Sequence, residues 1–415
     1  MGTISRGSQH PGIVSLFDSA GWSWFTVPTA VHHQGRSNQT YISWLDREGK
    51  VWIGAYDHLT GRFTPTVLAP LGEVDDHDVA AILLRADGRL IAFYTKHNRD
   101  PFLRYRVSMH PEDSRSWEAE QSLPTPSGTV TYAQAWRWEK TVVVFYRIQD
   151  RDMWYWACRV SKDDGQTWGR EQRVVQHGLQ FYIKGIQHPI HRERLVFGVT
   201  QHPDRSGDRQ TYSLYSMQVD LKTGHVLLDE DGTSLGNLFD GSRLPVDMTS
   251  LRLRWDATKD PDRGKAWIWD VSMDDRMRSW LWFAKIVSAR DHRYAVVDEK
   301  GSVYEFARAG RTIDGESEPS YSGGLTVAKV SEPPGTVWLV RQSSSGCQWT
   351  LEEWHSSDGG ATWVTRELLR GGESHPLRPV AVVDADPSLP LVFLGGVYKH
   401  YTQVLTALYA YRLPV

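Results

Sequence analysis

Helix-period patterns are scarce along this chain, and short apolar β-rich runs recur in their place. Five stretches share one form, an apolar strand, an Asp/Gly or polar turn, and a second apolar strand. They are TYISWLDREGKVWIGAYD (40–57), AAILLRADGRLIAFYT (80–95), TVVVFYRIQDRDMWYWACRVS (141–161), RYAVVDEKGSVYEFA (293–307) and TVWLVRQSSSGCQWTLEEWHSS (336–357). Each predicts an antiparallel hairpin, and the hairpins are spaced tens of residues apart.

A local repeat strengthens that reading. Ser161-Lys-Asp163-Asp-Gly165-Gln-Thr167-Trp168 and Ser356-Ser-Asp358-Gly-Gly360-Ala-Thr362-Trp363 agree at every fixed place of S-x-D-x-G-x-T-W, and a worn copy runs from Ser108 to Trp117. The motif is turn chemistry: Asp accepts backbone N–H groups inside the loop, Gly takes the left-handed conformation, and Trp packs beneath. This is the Asp-box of the bacterial-neuraminidase repeat, which braces blade edges and seldom touches substrate. Sheets of this kind bury both faces by stacking around an axis. At roughly 45–50 residues per blade plus long loops, the length fits seven blades, with six or eight as neighbours. The expected fold is all-β, a seven-bladed β-propeller of four-stranded antiparallel blades, forming one domain over residues 1–415. No linker divides the chain, and 310–323 is the best loop candidate.

Composition narrows the classes of function. A formal net charge of −3 over 415 residues, with no basic stripe or polybasic tail, argues against nucleic-acid and membrane partners. No apolar run reaches membrane-spanning length. The N-terminus, MGTISRGSQHPG, has no apolar core of a secretory signal, so the expected location is cytoplasmic, or extracellular with the signal trimmed. The two cysteines, Cys158 and Cys347, are far apart, which excludes a disulfide scaffold and disfavours a cysteine zinc site. The 19 Trp, 17 Tyr and 12 Phe chiefly fill gaps between sheets, and some are free to stack on sugars.

Candidate chemistry gathers in three successive blades. Val74-Asp75-Asp76-His77-Asp78 ends a loop before a strand, and His97 follows at the far end of the next hairpin. A two-strand excursion returns near its start, so both imidazoles are expected at one mouth of the propeller. Thr131-Tyr132 opens the next blade with Phe145-Tyr146-Arg147 on its second strand. Phe181-Tyr182-Ile-Lys184 opens a third that ends at Gln201-His202. The set lacks the paired carboxylates that glycoside hydrolysis usually uses, and there is no GxSxG elbow for acyl transfer. It suits proton abstraction beside a carboxylate. Arg147 would pair with the carboxylate, and His77, His97 and Tyr132 would supply acid and base. That is β-elimination from a uronic acid.

The chain resembles the neuraminidase-repeat propeller lyases, which include ulvan lyases and rhamnosyl-glucuronate lyases. The likeness runs through Gln39–Asp46, Asp75–His77, Tyr94–Asn98, Tyr132, Tyr146-Arg147, Tyr182–Lys184, both Asp-boxes, Tyr321–Gly324, Arg378-Pro379 and Gly396–Tyr398. It implies catalysis by Tyr132, His97, His77 and Arg147, with Tyr182, Lys184, His202, Asp76 and Tyr146 binding substrate. Which of Tyr132 and His97 takes the proton stays open. No cofactor is required for this chemistry. The resemblance leaves room for a structural cation, calcium or zinc, whose ligands the sequence does not map. The family continues its Asp-Asp-His with Asn, where this chain has Asp78. The implied partner is a polysaccharide or oligosaccharide containing a uronate; oligomeric state is not readable.

Two other classes compete. One is a glycoside hydrolase on the same scaffold. A sialidase would need an arginine triad, and Tyr146-Arg147-Ile148-Gln149 lacks the proline of its motif. An α-L-rhamnosidase would use one histidine, His32 or His33. The other class is a non-catalytic sugar-binding propeller, which has no need of a Tyr–His–Arg cluster.

Overall fold

The computed structural model describes residues 12–413 except 229–231, 314–317, 329–334, 344–347, 359, 361 and 373. Each of the five predicted runs forms a hairpin, such as Asn38–Leu45 with Lys50–Asp57 and Thr141–Asp150 with Met153–Ser161. Seven antiparallel sheets result, one per blade of a seven-bladed β-propeller. Their innermost strands ring the axis: Ala30–Gln34, Ala81–Leu84, Thr129–Trp138, Phe181–Gln187, Lys265–Met273, Gly324–Val327 and His375–Ala381. The ring is closed by the N-terminal strand Ile13–Phe17, which pairs with Thr406–Tyr411 as the outer strand of blade seven. Sequence-distant ends are thereby locked together by a backbone ladder.

Five sheets have four strands. Blade three gains a short parallel strand, Val246–Asp247, at its outer edge. In blade four the outer strand is split: His225–Leu227 pairs one end of Leu214–Asp220 and Arg252–Trp255 pairs the other.

The Asp-boxes do the turn work expected of them. In the first, both oxygens of Asp163 are used, accepting from Thr167 N at 2.8 Å and Thr167 Oγ1 at 2.6 Å, while Gly165 sits at φ +81°. Those bonds hold the Asp163 carboxyl down at about 2. Trp168 then packs on Phe93 and Tyr105 of blade two. Asp358 repeats the pattern with Thr362, and Trp363 packs on Phe306 and Trp354. Cys158 is a buried free thiol; Cys347 lies outside the described residues.

The axial channel is filled by the segment between the closing strand and blade one. Gly21 pairs with Leu45, Trp22 Nε1 donates to the Arg378 carbonyl, Trp24 Nε1 to that of Ile268, and Val27 exchanges backbone bonds with Ala133 and Ala135. Trp24 stacks on Trp269 with ring centroids 4.0 Å apart, and Phe25 lies 4.7 Å from Tyr182. This strap separates the two mouths of the propeller. One mouth lies where the inner strands begin, the other where they end.

Candidate active site

The mouth at the starts of the inner strands collects the histidines. A single 3-10 turn, Asp76–Asp78, precedes the inner strand of blade two, and Asp75 caps it by accepting from His77 N. One oxygen of Asp75 also meets His77 Nδ1 at 2.6 Å, and the other meets His97 Nδ1 at 2.8 Å. An ionised carboxylate only accepts, so both imidazoles carry their proton on Nδ1 and leave Nε2 available. The rings stack with centroids 4.0 Å apart. Burial alone raises the Asp75 carboxyl, but the charge and hydrogen bond of His77 and the bond from His97 bring it well below the ordinary range. Burial, helped by the neighbouring His77, lowers His97 to about 4, so it is neutral near pH 7. Asp78 is pushed up by burial and by the charges of Asp75 and Glu73 while it accepts from His97 N.

Tyr132 reaches this pair because the inner strand of blade three bulges. Its pairing slips between Thr131 and Gln134, and Tyr132 takes the left-handed conformation at φ +64°. Its ring centroid is 5.2 Å from that of His77. The hydroxyl is buried with no well-formed hydrogen bond among the described residues, Ser23 being a hydrogen-bonding neighbour, and burial together with Tyr182 raises its pKa well above the ordinary value. Directly opposite Thr131 stands Arg147. Its guanidinium carbon lies 4.9 Å from the Tyr132 ring centroid, 4.7 Å from that of Tyr182 and 4.9 Å from that of Trp154. Arg147 is fully buried; among the described residues it meets no carboxylate, and the Tyr182 hydroxyl is a hydrogen-bonding neighbour without a well-formed bond to any of its three side-chain nitrogens. An unpaired buried charge of this kind costs several kcal/mol, which rings facing a cation repay only in part.

The other predicted residues divide. His202, at the end of the second strand of blade four, joins the cluster: its ring is 5.5 Å from Tyr182, and Nε2 lies 3.6 Å from Glu318. Asp76 is there too, with its Oδ2 taken by Arg378 and by Tyr398 at 3.0 Å. Tyr146 is not. Neighbours on a strand point to opposite faces, so with Arg147 on the face toward blade four, beside Tyr182, Tyr146 is buried between blades two and three, donating to Glu171 at 3.0 Å. Lys184 shares a face with Tyr182 but lies two residues farther along the strand, past the strap. Its ammonium donates to the Trp24 carbonyl and lines a cavity at the opposite mouth.

Several residues at this mouth were not expected from sequence. Asp75 stood inside the Asp-Asp-His motif, yet only its neighbours were assigned roles. Trp154 and Glu318 carried no signal; Glu318 comes from the 310–323 loop, which also brings Tyr321 within 6.0 Å of His202. Tyr401 covers the histidines edge-on, 5.0 Å from His77 and 5.5 Å from His97.

Among the described residues, metal-capable donors converge twice, at Asp75, His77 and His97 and at His32, His58 and Asp386. In the first, the Nδ1 atoms and the carboxylate satisfy one another, while both Nε2 atoms stay available to a ligand. In the second, the ring nitrogens are engaged by the Asp384 carbonyl, Asn38, Thr40 and Ser388.

Residues 39–310 match the model of the BNR repeat-containing family. No curated protein matches the chain. Among solved structures, the chain is similar to a PL25 ulvan lyase bound to -[GlcA(1-4)Rha3S]-, with TM-score 0.71, 16% identity and 96% of each chain covered. It is also similar to the polysaccharide lyase Uly1, with TM-score 0.57, 13% identity, and 96% of this chain and 98% of that one covered. A third is the BP39L lectin from Burkholderia pseudomallei, with TM-score 0.52, 11% identity and coverage of 96% and 99%. At these identities the likeness is one of fold. The match over 39–310 spans well over half of the sequence, and the chain belongs to the BNR repeat-containing family.

Proposed function

We propose that this protein is a carbohydrate-active lyase that cleaves a glycosidic bond at a uronic acid by β-elimination, at a linkage of rhamnose to glucuronate or iduronate. The observation that carries the reading is Arg147, a fully buried guanidinium that meets no carboxylate among the described residues, beside the buried Tyr132 hydroxyl. Such a group suits a planar carboxylate that only substrate brings. The fold shared with ulvan lyases agrees with this.

Arg147, with His77 beside it, would neutralise the uronate carboxylate and the second negative charge that develops when the C5 proton leaves. A base removes that proton, the C4–O bond breaks, a C4=C5 double bond forms, and an acid protonates the departing oxygen. The neutral state of His97 and its available Nε2 suit it as the base, and the raised Tyr132 hydroxyl, still protonated, suits the acid. Asp75 fixes the tautomer of both histidines, and Tyr182 and His202 border the space beyond Arg147.

The test is near-ultraviolet absorbance while the enzyme meets ulvan, gum arabic and rhamnosyl-glucuronate oligosaccharides, with Arg147→Met and Tyr132→Phe beside it. Rising absorbance lost in either variant supports the eliminase. Reducing sugar released without absorbance overturns it in favour of a hydrolase. That alternative has less support, because both ring nitrogens of His32 are taken up by the Asp384 carbonyl and Asn38, and His33 Nε2 lies 3.7 Å from the Glu112 carboxylate.

A further inference from the structure

The mouth at the ends of the inner strands holds a cavity of about 360 Å³, separated by the strap from the histidine cluster. That is within the range of about 300–1,000 Å³ for small-molecule sites, at its smaller end. Its wall includes the half-buried Trp138 together with Trp24, Trp136 and Trp269, which are each 2% exposed. Among the described residues, two groups on lining residues are buried without partners: the Thr26 hydroxyl and the Trp269 indole N–H, on side chains that are 1% and 2% exposed. Nothing in the packing of the fold requires a donor and an acceptor to be left unmet there, and buried polar groups are nearly always satisfied.

The charges in this wall cancel. Three basic side chains (Arg137, Lys184, Arg192) face three acidic ones (Glu139, Asp270, Asp384). Four of the six are held by the fold. Arg192 pairs with Asp384, Lys184 donates to the Trp24 carbonyl, and Asp270 accepts from Thr326 Oγ1, Val327 N and Val271 N. Glu139 is exposed at the rim, and Arg137 donates to its backbone carbonyl. With opposite charges balanced and four of the six held by the fold, a charged ligand gains little net attraction in such a wall, whereas a neutral, polyhydroxylated one gains contact with Trp138 and hydrogen bonds. Asp270 and Asp384 are held by the fold and Glu139 stands exposed at the rim, so the wall offers no free pair of the kind that glycoside hydrolysis usually uses.

We infer that this cavity is a second, non-catalytic binding site for one or two neutral sugar rings, on the opposite mouth from the proposed elimination site. It gives the protein two sugar contacts along its axis, one selecting a uronate and one a neutral residue.

The experiment is saturation-transfer NMR and calorimetry on the full chain, with L-rhamnose, D-xylose and D-galactose as neutral probes and D-glucuronate as the acidic one. Trp138→Ala removes part of the wall, and Val383→Trp fills it from a half-buried rim position. Circular dichroism of both variants checks folding. The expected result is saturable binding of a neutral sugar, weakened about tenfold or more by either variant and unchanged by Arg147→Met. Three results overturn the inference: no neutral sugar binding in the tens of millimolar, binding lost with Arg147→Met instead, or glucuronate binding to this site as well as the neutral sugars do. None of them bears on the elimination assay, so the two readings fail separately.

Discussion

Two arginines are buried at the same mouth of this propeller, and they are built differently. Arg147 and Arg378 are 0% and 1% exposed, and both guanidinium groups are surrounded by aromatic rings. Both stand beside a bulge of an inner strand: Arg147 opposite Thr131 next to Tyr132, and Arg378 itself left-handed at φ +43°. Arg378, however, has a carboxylate partner in Asp76 and donates to the Trp22 carbonyl. Its charge is neutralised by the fold, and it ties the strap to blades two and seven. Arg147 has no such partner. Burial and aromatic packing are therefore shared by a structural and a functional arginine; the missing anion is what distinguishes them.

The comparison breaks most sharply under substitution to methionine. Arg378→Met leaves Asp76 as an uncompensated buried anion and should cost about 3–5 kcal/mol of stability, read as a lowered denaturation midpoint. Arg147→Met strands no partner, so the midpoint should hold or rise. The same change should cut kcat/KM for elimination by about 10²–10³-fold, as expected for removing a donor to developing charge. If Arg147→Met unfolds the protein while Arg378→Met does not, the assignment of the two roles is reversed.

The next effect belongs to His97 and Tyr132. His97→Ala and Tyr132→Phe should each lower kcat by about 10²–10⁴-fold. A base must be unprotonated, and His97 is lowered to about 4 by burial and by His77. The acid limb of kcat/KM should therefore fall near pH 4, with activity lost below it. A limb near the ordinary histidine value of about 6.5 would rule His97 out as the base. The sign for stability is the same. Between about 6.5 and 4 the unfolded chain binds a proton at this histidine and the native state does not, so stability falls as pH drops through that window. Asp75→Asn should reduce kcat by at least about 10²-fold while leaving substrate affinity close to wild type, because it removes the anchor of both Nδ1 protons rather than a substrate contact.

How much of this was legible in the sequence follows from the range of each signal. The hairpins and Asp-boxes are local, so the propeller could be read from turn chemistry and alternation alone. The histidine pair was legible because a hairpin brings residue 97 back beside residue 77. The strap was not: its contacts join Trp22 to Arg378, Trp24 to Ile268 and Val27 to Ala133, and no local pattern encodes them. Without the strap, Lys184 looked like a neighbour of Tyr182 at one mouth, whereas the plug assigns it to the other. Asp76 was read as a substrate contact because its partner, Arg378, lies 302 positions away.

Tyr146 and Tyr132 sharpen the comparison at its smallest effect. Each is a buried tyrosine in blade three, and each has its hydroxyl pushed up by burial. Tyr146 spends its hydroxyl on Glu171, while Tyr132 makes no well-formed hydrogen bond among the described residues, with Ser23 as a neighbour. Deleting the oxygen of Tyr146 should therefore cost about 1 kcal/mol of stability, the net worth of a typical hydrogen bond, with elimination unchanged. Deleting that of Tyr132 should leave the denaturation midpoint where it was and remove activity. Chemical denaturation and the absorbance assay on the two Tyr→Phe variants separate the cases. Should Tyr146→Phe lose activity at full stability, the space between blades two and three would have to open to substrate. Strand alternation would then no longer decide which side of blade three does chemistry.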